Sequence, residues 1–201
     1  PVIQVCTRYT APGSHLKSDM IISPTLLTSE HRPVQIEIDD DDNYLGLSAA
    51  IQLALGSGEL KLASTDPNDQ PKLDYRYLTE PFDRERMRTA IRYIVELGEH
   101  PALKEMMVER ITPTDEELAT DDALDAWLLK YTGTSHHISG TCKMGLSSDP
   151  MAVVDQHGHV HGLQGLRVAD ASVMPDCIRA NTNATTIMIA EKIADYIKSG
   201  I

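Results

Sequence analysis

The hydrophobic pattern of this chain changes period along its length, and that change limits the fold more than any other feature. The first half holds short apolar-rich runs: Val2 to Tyr9, Asp19 to Leu27, Val34 to Ile38, Leu45 to Leu55 and Glu59 to Ser64. Turns such as Gly56-Ser57-Gly58 separate them. Short strands joined by turns favour antiparallel pairing. From Asp83 the spacing becomes helical, with Met87, Ala90, Ile91, Ile94 and Val95 on one face up to Leu97 and Gly98 at the expected C-terminal cap. Asp121 to Tyr131 repeats that spacing through Leu124, Trp127, Leu128 and Tyr131, with Thr120 or Asp121 as N-cap. Asn183 to Lys198 does so through Ile187, Ala190, Ile193, Ala194 and Ile197. In between, Met151 to Val154, a turn at Asp155 to Gly158, and Val160 predict a hairpin, and Leu166 to Ala169 a short buried strand. A strand-rich half followed by separate helices predicts an α+β fold: an antiparallel sheet with flanking helices.

Composition excludes several functions. The chain has 201 residues, 41% hydrophobic and 24% charged, as expected of a globular protein with its own core. It carries 30 acidic against 18 basic side chains, a formal net charge of -12. Nucleic acids and anionic membrane surfaces require clustered positive charge, so neither is an expected partner. No apolar run is long enough to span a bilayer. Cys6, Cys142 and Cys177 are widely spaced and form no C-x-x-C pair, which fits reduced thiols in a cytoplasmic protein. The chain opens at Pro1, without an initiator Met, in what reads as a strand, so a piece of a longer protein is expected. The run Asp39 to Asp42 suggests a calcium loop, but the sixth position of such a loop needs Gly and here holds Tyr44. An acidic hairpin tip in solvent is the expected account.

Two blocks carry candidate chemistry. The first is His136-His137-Ile138-Ser139-Gly140-Thr141-Cys142-Lys143-Met144-Gly145. A histidine can act as a general base because its pKa lies near working pH, although a histidine beside small residues is more often structural. The second runs from Arg179 to Lys192 and opens the last helix, which Asn181 or Asn183 can cap. Its first-turn amides and helix dipole suit a negative group, and an ordinary capped helix is an equal alternative.

Together these blocks resemble the glucose–methanol–choline oxidoreductases. The family pattern H-x-x-G-T-C-[RK]-M-G matches His137 through Gly145. G-L-R-V-x-D-A-S-x-M-P matches Gly165 through Pro175, and N-x-N-A-x-T-x-M-I-A-E-K matches Asn181 through Lys192. Leu62-Ala63-Ser64, Asp66-Pro67 and Asp74 to Leu78 resemble strand motifs of the family's substrate domain. The stretch Gly133 to His137 resembles a bacterial subgroup found beside mycofactocin genes, and the whole is choline-dehydrogenase-like.

The resemblance implies an FAD-dependent enzyme that oxidises an alcohol substrate by hydride transfer to the flavin. His137, not His136, matches the family base, and Asn181 matches its hydrogen-bonding partner. Asp170, Ala171, Asn181, Thr182 and Asn183 match positions that approach the cofactor. The family's substrate-binding domain corresponds to residues 1–135, and residues 136–201 to the catalytic loop and the segment that completes its FAD-binding domain. The family also begins with a G-x-G-x-x-G fingerprint, which this chain lacks: Gly56-Ser57-Gly58 is followed by Lys61 where the third Gly should fall. The N-terminal FAD-binding portion is therefore an expected partner, and this chain alone is expected to bind FAD weakly or not at all.

Three other readings compete. Asp155, His157, His159 and His161 alternate as metal ligands on one strand face would, though a tight turn at His157-Gly158 would break the alignment and leave a solvated hairpin. A serine hydrolase built on Ser135 or Ser139 with His137 fails, because no G-x-S-x-G elbow exists. A non-catalytic binding module stays open for a chain without the nucleotide fingerprint.

Overall fold

The computed structural model describes residues 5–27 and 44–201. The expected strand Val34 to Ile38, the acidic tip Asp39 to Asp42 and the apolar Val2 and Ile3 lie outside the described residues. The chain divides into two compact units, Pro1–Gly133 and Thr134–Ile201.

In the first unit, strands β1 (Thr7–Tyr9), β2 (Met20–Leu27) and β3 (Tyr44–Ile51) form an antiparallel sheet in the order β1-β2-β3. The long pairing runs from Met20 opposite Ile51 to Leu27 opposite Tyr44. Pro24 interrupts β2 where a central strand would lose a ladder bond, but β1 pairs only with Met20 to Ile22, so Pro24 lies past it. Strands β4 (Glu59–Lys61) and β5 (Lys72–Asp74) form a separate antiparallel pair. The sheets are antiparallel and accompanied by helices, so the α+β expectation holds.

Helix α1 (Pro81–Gly98) starts at a proline, whose missing N–H and fixed φ suit the first helical position. Gly98 does not cap it: the helix includes Gly98, and Glu99 closes it in a right-handed conformation. Two one-turn helices follow, α2 (Pro101–Lys104) and α3 (Asp115–Leu118), the second held by a reciprocal Thr114–Glu117 capping box. Helix α4 (Asp121–Tyr131) is capped by Thr120, whose hydroxyl accepts from the Ala123 amide. Met87, Ala90 and Ile91 of α1 pack with Leu124 and Leu128 of α4, Met20 of β2, Ala11 and Leu78 in one core. Each such side chain contributes roughly 1.5–3 kcal/mol on burial.

A buried charge cluster ties this unit together. Asp19 and Arg86 are 0% and 2% exposed, and Arg86 Nη1 donates to Asp19 Oδ2 at 2.9 Å. Arg86 Nη2 donates to Asp83 Oδ1 at 2.5 Å and to the Leu53 carbonyl at 3.2 Å. Asp19 also accepts from the Ala11 amide at 2.9 Å and the Ser14 hydroxyl at 2.6 Å. The other side of Asp83 accepts from the Leu55 and Gly56 amides, which fixes the chain leaving β3 to the first turn of α1.

The second unit has a smaller core of Val154, Val173, Met174, Ile189 and Ile193. It holds α5 (Asn183–Lys198) and a 3₁₀ turn at Ala171–Val173. The expected Met151–Val160 hairpin is reduced to single bridges, Val154 with Val160 and Met144 with Val154. Leu166 to Ala169 is not a buried strand: Leu166 is 49% exposed, and only Arg167 bridges, to His159. The α5 face also differs from the expected stripe. Ile189 and Ile193 are its buried residues, whereas Ile187 and Ile197 are more than half exposed. Ile189 and Ile193 lie four apart, so they share one side of the helix, and Ile187 falls off it. No helix among the described residues is long and apolar enough to cross a membrane.

Candidate active site

The loop carrying His137 is tied to the 3₁₀ turn by consecutive backbone bonds. Gly140 N donates to Ala171 O at 3.4 Å, Cys142 N to Ser172 O at 2.9 Å and Met144 N to Val173 O at 2.9 Å. Gly140 sits at φ +83°, where a side chain is strained, and a β-carbon there would meet the Met174 carbonyl oxygen at 3.5 Å. Asp170 secures the other side: its Oδ1 accepts from Ser172 N at 2.8 Å and from Ser172 Oγ at 2.5 Å. The Asp170 carboxylate is thus engaged with its own turn, while the Ala171 carbonyl takes the Gly140 amide.

The second half of the site is the start of α5. The residue before its first turn, Thr182, is 8% exposed, and its carbonyl accepts from both the amide and the hydroxyl of Thr186 at 2.9 Å. The helix has no side-chain cap, so neither Asn181 nor Asn183 caps it; both are exposed. An uncapped first turn leaves amides pointing outward with the positive end of the helix dipole behind them.

A side-chain contact reaches from the histidine loop to the helix start. His137 Nδ1 lies 3.2 Å from Thr182 Oγ1. The structure therefore brings the loop histidine to the residue next to Asn181. With the ring proton on Nδ1, His137 donates to the threonine hydroxyl and leaves Nε2 with a free lone pair, the form a base requires. His136 is exposed, at φ +61°, and its backbone amide donates to Thr134 Oγ1 at 2.9 Å. Adjacency in sequence gave no hint that Thr182, rather than Asn181, would touch the ring. The signal was its place between two asparagines at a helix start, where a short hydroxyl can turn inward.

Of the four aligned metal-type residues, three stay together. Asp155, His157 and His159 cluster, whereas His161 turns away, its Nε2 3.1 Å from the Gly145 carbonyl oxygen. Burial disfavours ionisation of Asp155, but hydrogen bonds from the His159 and His157 amides and the His159 ring outweigh it and hold its carboxyl below the usual range.

Comparison with known proteins gives the arrangement a lineage. The chain is 48% identical over 166 residues to an oxygen-dependent choline dehydrogenase of Serratia proteamaculans, and 46% identical over 166 residues to one of Proteus mirabilis. Each alignment covers 78% of this chain and 29% of the relative, so the chain spans less than a third of those proteins' length. Among solved structures, a formate oxidase of Aspergillus oryzae RIB40, described for FAD modification, superposes with a TM-score of 0.81. It is 26% identical, over 92% of this chain and 32% of its own. A pyridoxine 4-oxidase at 24% identity and TM-score 0.77 shares the fold. The family model described as GMC oxidoreductase matches residues 54–190, a range that holds both the histidine loop and the opening of α5, and the chain belongs to that family.

Proposed function

We propose that this chain is the substrate-side and catalytic portion of an FAD-dependent enzyme that oxidises the CH–OH group of an alcohol. The observation that supports the reading is the contact between His137 Nδ1 and Thr182 Oγ1, since it holds the imidazole beside the opening of α5. The residues present fit a flavin. The first turn of α5 has no side-chain cap, so its amides are open to an electronegative ring edge, and the exposed Asn181 and Asn183 flank them. Asn181, Asn183 and the Ala171 turn would hold the cofactor. Asp170 would act through that turn, and Thr182 through His137. Bound FAD supplies the hydride acceptor.

His137 takes the hydroxyl proton on Nε2. Thr182 holds the ring in place. Asn181 donates a hydrogen bond to the substrate oxygen as negative charge develops there, a service that needs no titration. Choline is the first alcohol to try, since the similar dehydrogenases are described by it. An acidic chain, at a formal net charge of -12, attracts rather than repels a cationic substrate.

The test is stopped-flow flavin reduction by alcohol in the protein joined to its FAD-binding portion. His137→Ala should slow the step about 10²–10⁴-fold, the usual contribution of a placed base, with FAD content intact. His136→Ala should do much less. A crippled His136→Ala with a near-normal His137→Ala would show that the wrong histidine carries the chemistry.

A further inference from the structure

We propose that Asp155, His157 and His159 form a binding site for a divalent transition-metal ion of the zinc type, separate from the His137 site. Each offers one ligand atom, and the three atoms lie within 4.8 Å of one another. Asp155 Oδ2 is 3.1 Å from His159 Nδ1 and 3.9 Å from His157 Nδ1. Zinc bonds of about 2.0–2.1 Å in a tetrahedron put neighbouring ligand atoms roughly 3.3–3.4 Å apart, so the two separations from Asp155 Oδ2 lie on either side of the required edge.

The local fold holds these ligands before any ion arrives. Asp155 Oδ1 accepts from the His157 and His159 amides at 2.8 and 2.9 Å, which fixes the carboxylate and turns Oδ2 towards the imidazoles. The His157 ring stands edge-on to Tyr196 of α5, 4.6 Å between centroids at 87°. Gly158 makes the tight turn between the two histidines at φ +79°. The turn thus breaks the strand-like alternation and excludes His161, yet curls His157 back towards Asp155. Arg167, opposite His159, does not occupy the cluster: its guanidinium donates to the His157 carbonyl and to the Ile201 carbonyl oxygen. The three side chains are 27% to 39% exposed, which leaves a face for water as a further ligand. Two imidazoles, one carboxylate and an open position form a donor set that suits zinc, nickel or copper rather than calcium or magnesium.

The experiment is a Zn²⁺ titration of the chain, followed by calorimetry and by the imidazole ¹⁵N resonances. The background has Cys6, Cys142 and Cys177 changed to Ser, so that thiols do not compete. One equivalent should bind, with the His157 and His159 resonances moving and those of His136 and His137 staying in place. His157→Ala and His159→Ala should each weaken binding by at least about 10–100-fold, the loss that even an outer-shell partner brings. His161→Ala should leave it unchanged. Asp155→Asn keeps an acceptor for the turn, so circular dichroism should match wild type while affinity falls. No binding by the parent chain, or undiminished binding in either histidine variant, overturns the site. Flavin and alcohol take no part, so the outcome is independent of the proposed oxidation.

Discussion

Asp19→Asn tests the charge cluster at the heart of the first unit. The substitution keeps the volume of a side chain that is 0% exposed and removes its charge. Three donors then lose a carboxylate: Ala11 N at 2.9 Å, Ser14 Oγ at 2.6 Å and Arg86 Nη1 at 2.9 Å. Breaking a buried ion pair from one side costs about 3–5 kcal/mol, because the remaining charge stays buried. Arg86 keeps Asp83 at 2.5 Å, so the lower end applies, about 3 kcal/mol. That is a large share of the roughly 5–15 kcal/mol that holds a domain folded. The assay is urea unfolding followed by Trp127 fluorescence, which reports on this unit. The pH dependence adds a second reading. Burial disfavours the charged form of Asp19, but the hydrogen bonds from Ser14, Ala11 and Arg86 outweigh it and hold the carboxyl below its ordinary value. A depressed folded pKa gives stability that is present above the unfolded value, near 3.9, and lost as pH falls through the folded one. The gap between wild type and variant should be flat from about pH 5 to 8 and close below about pH 4. A loss under about 1 kcal/mol, or a gap that persists at low pH, would refute the argument.

Two further outcomes follow from the same physics. The Tyr9 phenol is pushed up to about 12, first by burial and then by Asp19 and Tyr93, and its hydroxyl lacks a hydrogen-bond partner. In an ultraviolet titration one tyrosine should ionise late, and the stability it contributes, complete below its unfolded value near 10, should fall as pH rises towards 12. Gly158→Ala should destabilise the second unit more than Gly162→Ala does in thermal unfolding. Both sit at φ +79°, worth about 1–2 kcal/mol against alanine. Only at Gly158 would the new carbon meet a backbone oxygen, Val168 O at 2.7 Å, adding roughly 1–3 kcal/mol of overpacking. Equal losses at the two glycines would contradict the contact.

The bounds of α4 and α5 were legible to the residue, because each has a helical apolar repeat and a polar residue at its start, but the face that α5 buries was not. Their partners were less so. Strands β4 and β5 are three residues each and exposed along their length, so no buried face writes an alternation into the sequence. The Asp19–Arg86 pair joins residues far apart in the chain, and nothing local marks either as buried. At the site, the motif that matched the family singled out His137 and Asn181. It left open which side chain would reach the ring, because that depends on how Thr182 turns at the entrance to α5. The Asp155 cluster was hidden for a related reason: strand alternation predicts one shared face, whereas a turn with a positive-φ glycine brings Asp155, His157 and His159 together without it.

The three backbone rungs between the histidine loop and the 3₁₀ turn end at Gly140. Downstream of that point the loop moves with the turn, as one rail of a ladder. Upstream, His137 is moored by its ring to Thr182 and so follows the first turn of α5. Gly140 is therefore a coupling between two stiff bodies, and the reach of the histidine is set by the helix it leans on and not by the loop that carries it. A displacement of α5 along its axis would carry the imidazole with it and leave Cys142 and Met144 in register. The position of the imidazole is in that sense a property of the helix.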